Sequence, residues 1–145
     1  MANNVNDVLQ QLQHGKYHPF GKWEEERSDI PRGPGLYTIW RNQQFLYAGR
    51  TTNLRRRLRQ HASGNRHSDI FCTYVFDRFM LPHLSESQAN ARLQRTFRLN
   101  TSVMKWICEN LGYRFVEVRV QDLIAIERDL KNGNWPGGKP FLNPA

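Results

Sequence analysis

The chain has 145 residues, 39% of them hydrophobic, with 21 Lys and Arg against 13 Asp and Glu, for a net charge of +8. That length predicts one domain, residues 1–145, with one modest core, and no apolar run approaches the ~20 residues a membrane span needs, so no membrane partner is expected. The start MANNVNDVLQ lacks the apolar middle of a signal peptide, and the only cysteines are Cys72 and Cys108; the expectation is a reduced, cytoplasmic protein without a disulfide framework, whose excess of base meets a polyanion, most often nucleic acid.

In chain order, VNDVLQQLQ (5–13) spaces Val5, Val8, Leu9 and Leu12 along one helix face. Residues 14–34, with Pro19, Pro31 and Pro34, read as an irregular but ordered loop carrying Tyr17, Phe20 and Trp23. GLYTIW (35–40) and FLYAG (45–49) form a hairpin turning near Asn42. Asn53 caps a helix running to Ala62. DIFCTYVFDRFML (69–81) pairs apolar residues at near-helical spacing, with a strand as the alternative, and Pro82 ends it. SESQANARLQRTFRL (85–99) is polar and helical in part. TSVMKWICENLG (101–112) reads as a helix stopped by Gly112, RFVEVRV (114–120) as a half-buried strand, and DLIAIERDLKNG (122–133) as a last helix capped by Asp122 and ended near Gly133. The tail from Asn134 is loop. The cysteines are expected to be buried small hydrophobes, and His14, His18, His67 and His83 show no zinc-like spacing.

NLRRRLRQH (53–61) holds four arginines and a histidine with no acid. Leu54 and Leu58 mark its inner line. At about 100° per residue, Arg57 and His61 flank that line and should lie against the hairpin, whereas Arg55, Arg56 and Arg59 face solvent or a ligand. The last helix carries a matching oddity. Glu127 falls within the inner stripe of Leu123, Ile126 and Leu130. A carboxylate there is costly unless it pairs with an arginine or holds a metal.

These residues resemble the GIY-YIG nuclease family. Gly35-Leu36-Tyr37 and Tyr47-Ala48-Gly49 correspond to its two short motifs, with Ala48 where the motif name has isoleucine. Arg57 and His61 supply its R-x-x-x-H, Glu127 its acidic metal ligand and Asn143 its terminal asparagine. The resemblance covers roughly 35–61 and 114–143, leaving 1–34 as an N-terminal extension and 62–113 as an insertion. It implies an α+β fold, a small antiparallel three-stranded sheet flanked by helices, with a mostly helical insertion.

It also implies a DNA endonuclease dependent on Mg²⁺ (or Mn²⁺). Tyr37 would act as base with His61 assisting, with Tyr47 as the alternative base; otherwise Tyr47 would position water or phosphate. Arg57 would neutralise phosphorane charge, Glu127 would hold one metal and Asn143 would brace the site. Arg50, Thr51, Arg55, Arg56, Arg59 and Arg66 are expected to contact the DNA backbone, with Arg95, Arg98 and Lys105 as a second basic segment. A double-strand cut calls for a homodimer or a second binding event. The alternatives are a non-catalytic DNA-binding module on the same scaffold and an RNA-directed nuclease.

Overall fold

The computed structural model describes residues 4–84 and 99–143. The helix α1 (Val5–His14) begins at Asn4, whose side chain accepts from Asp7 N. A two-residue strand β1 (His18–Pro19), a 3₁₀ turn (Phe20–Lys22), the short helix α2 (Trp23–Glu26) and a second 3₁₀ turn (Arg27–Asp29) follow. The hairpin is β2 (Gly35–Arg41) with β3 (Gln44–Thr51), and α3 (Leu54–Ala62) follows it directly. Next come α4 (Ile70–Val75), a π-helical turn (Phe76–Met80) and a 3₁₀ turn (Leu81–His83). α5 (Leu99–Asn110), β4 (Gly112–Glu117) and α6 (Val120–Asn132) complete the described elements.

The sheet is antiparallel in the order β1-β4-β2-β3. It therefore has four strands where three were expected, because β1 is only two residues long and contains proline. Nothing of the period-two pattern that marks a strand exists in so short a segment. The hairpin closes with Arg41 opposite Gln44, and Asn42 takes a φ of 55°, the left-handed conformation a tight two-residue hairpin requires and asparagine tolerates.

Side chains alternate across the sheet and build two cores. On one face Tyr37, Ile39, Tyr47 and Tyr113 pack with Leu54 and Leu58 of α3, Phe71 and Val75 of α4 and Val103 and Ile107 of α5. On the other, Leu36, Trp40, Ala48 and Val116 pack with Val8 and Leu12 of α1 and Leu123, Ile126 and Leu130 of α6. The layers are thus helix, sheet, helix. One α6 expectation comes out differently from its counterpart at α3. Asn53 caps α3 as read, accepting from Arg56 N at 3.0 Å. At the start of α6, however, Arg119 takes the cap position without a side-chain bond, and Asp122 pairs back to Arg119 at 3.2 Å. Gly133 does end that helix, at φ 76°. Gly112, read as a helix stop, is the first residue of β4.

The segment 69–81 is helical and passes into a π turn, and Pro82 lies in the 3₁₀ turn after it. Cys72 is buried, as expected, but Cys108 is only partly so. Arg95 and Arg98 lie outside the described residues. Among those described, no helix is long and apolar enough to cross a membrane.

Candidate active site

The first face of the sheet gathers four of the predicted site residues. Tyr37 stands on the central strand β2 and Tyr47 on the edge strand β3, with ring centroids 6.4 Å apart. His61 comes from the last turn of α3 and is fully buried. Its Nε2 lies 2.6 Å from Tyr37 Oη, and its Nδ1 lies 2.6 Å from Asp69 Oδ2. Arg57, one turn earlier on α3, reaches back with Nη2 3.6 Å from Asp69 Oδ1 and Nη1 donating to Gln60 Oε1 at 3.0 Å. The helix orientation read from the leucine spacing is therefore the observed one for these two residues. Gly49 makes the arrangement possible. It lies opposite Tyr37 in the ladder, and a Cβ there would fall 2.3 Å from the tyrosine hydroxyl, inside van der Waals contact. The Tyr37 ring thus crosses the bare backbone of the edge strand.

Burial sets the electrostatics. It pushes the Tyr37 phenol well above its ordinary range, the neighbouring Tyr47 adds to that, and the Arg57 guanidinium pulls the other way. Tyr47 is raised for the same first reason, again opposed by Arg57. Burial lowers His61 against the pull of Asp69 and so keeps the imidazole neutral. Burial alone would raise Asp69, but the His61 hydrogen bond, the Arg57 charge and the Phe71 N–H outweigh it and hold the carboxyl below its usual range. Cys72 approaches the same carboxylate at 3.5 Å. Burial drives its thiol upward, which keeps it protonated and unreactive.

The second face holds Glu127, on α6. It lies at the edge of the apolar stripe rather than under it, with 15% of its side chain exposed. Its partner is Arg50, Nε to Oε1 at 3.1 Å, with Lys131 Nζ 3.6 Å from Oε2. The sequence expectation of an arginine partner holds, but that arginine comes from β3. Arg50 was expected simply as a DNA contact. It follows Gly49 in the strand, so the Tyr37 hydroxyl and the Glu127 carboxylate each reach adjoining residues of β3 from opposite faces. Among the described residues no hydrogen bond or ion pair joins the two groups. Asn143 ties in the same strand, accepting from Ala48 N at 2.7 Å and donating to Ala48 O at 3.1 Å.

Of the remaining expected DNA contacts, Arg56 and Arg59 are exposed. Arg55 is not free: it donates to the carbonyls of Ile30 at 2.8 Å and Ser28 at 3.4 Å, pinning the N-terminal extension to α3. The Thr51 hydroxyl is spent within its own turn, accepting from Asn53 N at 3.0 Å. Arg66 is partly buried, with its guanidinium over the Phe76 ring at 5.3 Å. Thr51 is taken up locally, whereas Arg55 and Arg66 are met by other segments. Helical phase gives the direction of a side chain but not what another segment brings to meet it. Asp69 was missed altogether, because it lies in the segment that matched no motif. Its one sequence signal was its place as a cap before the apolar run from Ile70. An open groove of about 1080 Å³, lined by Asp7, His14, Lys16, Asp29 and Glu117 among others, contains none of these site residues.

A model of the GIY-YIG catalytic domain matches residues 33–110, more than half of the chain. This protein belongs to the GIY-YIG family. The matched GIY-YIG region runs through most of the segment read as an insertion and stops short of Glu127 and Asn143, so Asp69 lies inside it. Family membership indicates chemistry of the nuclease type, in general that of endonucleases, and implies a DNA substrate. No curated protein and no solved structure matches the chain. A metal would have to be held lightly in this GIY-YIG site. Among the described residues no three ligating side chains cluster, and Glu127 offers one carboxylate near the surface. That donor set fits Mg²⁺, which takes one or two carboxylates, keeps several waters and shares its coordination with substrate phosphates.

Proposed function

We propose that the chain is a DNA endonuclease using Mg²⁺ (or Mn²⁺), with Tyr37, Tyr47, Arg57, His61, Glu127 and Asn143 as its working residues. The observation that carries this reading is the 2.6 Å approach of Tyr37 Oη to His61 Nε2, with the Arg57 charge beside both phenols. Tyr37 is the general base. Burial keeps it protonated at rest, so it takes a proton from water only by passing its own on as it does so. His61, buried and neutral, accepts that proton. Water loses one proton to Tyr37, Tyr37 loses one to His61, and the hydroxide attacks phosphorus as the bond to the leaving oxygen breaks.

Arg57 presents a permanently charged fork to the phosphate oxygens on which negative charge grows. Tyr47 orients the water or the phosphate from the next strand. Glu127 would hold the metal ion, which when bound supplies Lewis-acid charge at the scissile phosphate and the leaving oxygen. Asn143 braces β3 between the tyrosine of the second motif and Gly49. Arg50, Arg56 and Arg59 meet the DNA backbone, positioning it without reading sequence. One such site cuts one strand, and cutting both takes a second copy or a second encounter.

The test is incubation of supercoiled plasmid with the protein and Mg²⁺. Nicking that EDTA stops, and that excess RNA does not suppress, is the expected result. Binding without nicking in either metal leaves a DNA-binding module, and preferential cleavage of the RNA makes the enzyme RNA-directed.

A further inference from the structure

We infer that Asp69 is a positioning residue of the reaction: it sets the tautomer of His61 that can relieve Tyr37 of its proton, and with its other oxygen it holds Arg57 toward the two phenols. The inference rests on the nuclease reading of the site. Asp69 caps α4, but the cap uses only one oxygen, Oδ1, which accepts from Phe71 N at 3.1 Å. Capping residues need no burial to do this, yet the Asp69 side chain is 0% exposed. A carboxylate so deep is costly without partners, and the ones it has are those of the site. Oδ2 meets His61 Nδ1 at 2.6 Å, and Oδ1 faces Arg57 Nη2 at 3.6 Å. The other titratable group against it is Cys72, whose Sγ lies 3.5 Å from Oδ2.

An ionised carboxylate only accepts hydrogen bonds. His61 must therefore carry its proton on Nδ1, which leaves the Nε2 lone pair facing the Tyr37 hydroxyl. Without that constraint the buried ring is free to protonate Nε2 instead, and would then present Tyr37 with a donor. The same carboxylate balances the imidazolium formed when the proton arrives. One side chain, from a segment with no motif, thus sets both the proton acceptor and the phosphate-facing cation.

Two measurements test this. The first is ¹⁵N NMR of the histidine rings in the wild-type protein at neutral pH, in which His61 is expected as the Nδ1–H tautomer. The second is Asp69→Asn, which keeps the size and the capping oxygen. Its single-turnover cleavage rate should fall on the order of 100-fold or more, DNA affinity should stay within about twofold, and His61 should lose its Nδ1–H preference. An Nε2–H tautomer in the wild type overturns the inference, as does a variant that cuts within about threefold of wild type across pH or that keeps the Nδ1–H form. Should Asp69→Asn not fold, the wild-type spectrum still decides. A wild-type protein that fails to cut DNA removes the nuclease reading instead, and the spectrum still reports whether Asp69 orients His61.

Discussion

The Tyr37–His61–Asp69 group is sealed inside one face of the sheet, whereas Arg50, Glu127 and Lys131 meet at the margin of the other. The first group is fixed by folding. Its three polar side chains are buried with their partners already in hand, so its geometry cannot change without leaving a buried group unsatisfied, at about 1–3 kcal/mol each. The second is held by a half-exposed arginine and a lysine, and pairs of that kind contribute only ~0–1 kcal/mol. A phosphate or a hydrated cation can displace them at little cost. On the proposed reading, the contrast separates proton handling, which calls for fixed distances, from ion and substrate capture, which calls for partners that let go.

Substitutions can break or sharpen that contrast. The largest effect is expected at Glu127. Glu127→Ala should abolish metal-dependent nicking while DNA binding in a gel shift persists and stability moves by less than about 1 kcal/mol; full activity in this variant refutes the metal role. On the sealed face the order reverses for stability. His61→Ala should cost about 3 kcal/mol in denaturant unfolding, because it leaves a void and takes from the buried Asp69 its closest partner. Tyr37→Phe should fold normally but lose turnover by about 10²–10⁴-fold. Gly49→Ala should force the Tyr37 ring off its hydrogen bond and cost about 1–3 kcal/mol, with turnover falling further than DNA affinity; an unchanged rate would show that the ring need not cross the strand there.

Acid should also tell the faces apart. His61 is lowered from 6.5 in the fold, so the unfolded chain takes up its proton first. Stability conferred by the neutral ring is complete above that value and is lost as pH falls through it. Asp69, lowered from 3.8, contributes stability present above that value and lost as pH falls further. Thermal melts should therefore weaken steadily from about pH 6.5 downward, whereas the cleavage rate should hold until the lower pH at which the folded protein's own His61 takes up its proton. The smallest effect is expected at Arg56, exposed on α3. Arg56→Ala should weaken DNA binding and reduce its salt slope by about one with turnover intact, unlike Arg57→Ala, which should strike turnover first.

Much of this was legible in the residues themselves. The hairpin and its turn at Asn42, the Asn53 cap and the inward phase of Arg57 and His61 all follow from local rules, in which a side chain's direction depends on its own element. What escaped depends on two segments meeting. Arg55 is phased outward, yet residues 28–30 come to lie against it. Glu127 was read as a buried acid, yet β3 ends beside it and supplies Arg50. Asp69 shows no functional signal until α4 folds over α3. β1 is too short to carry any pattern at all.

The last described residues run beside β3 and hydrogen-bond to it, Phe141 N to Phe45 O at 3.1 Å and Leu142 N to Leu46 O at 2.7 Å, before the Asn143 amide grips Ala48. This tail acts as a hem along the outermost strand. Removing it would uncover backbone donors and acceptors that readily template intermolecular β pairing. A chain cut back before Phe141 is therefore expected to self-associate, so that any loss of cleavage in it would report clumping as much as chemistry.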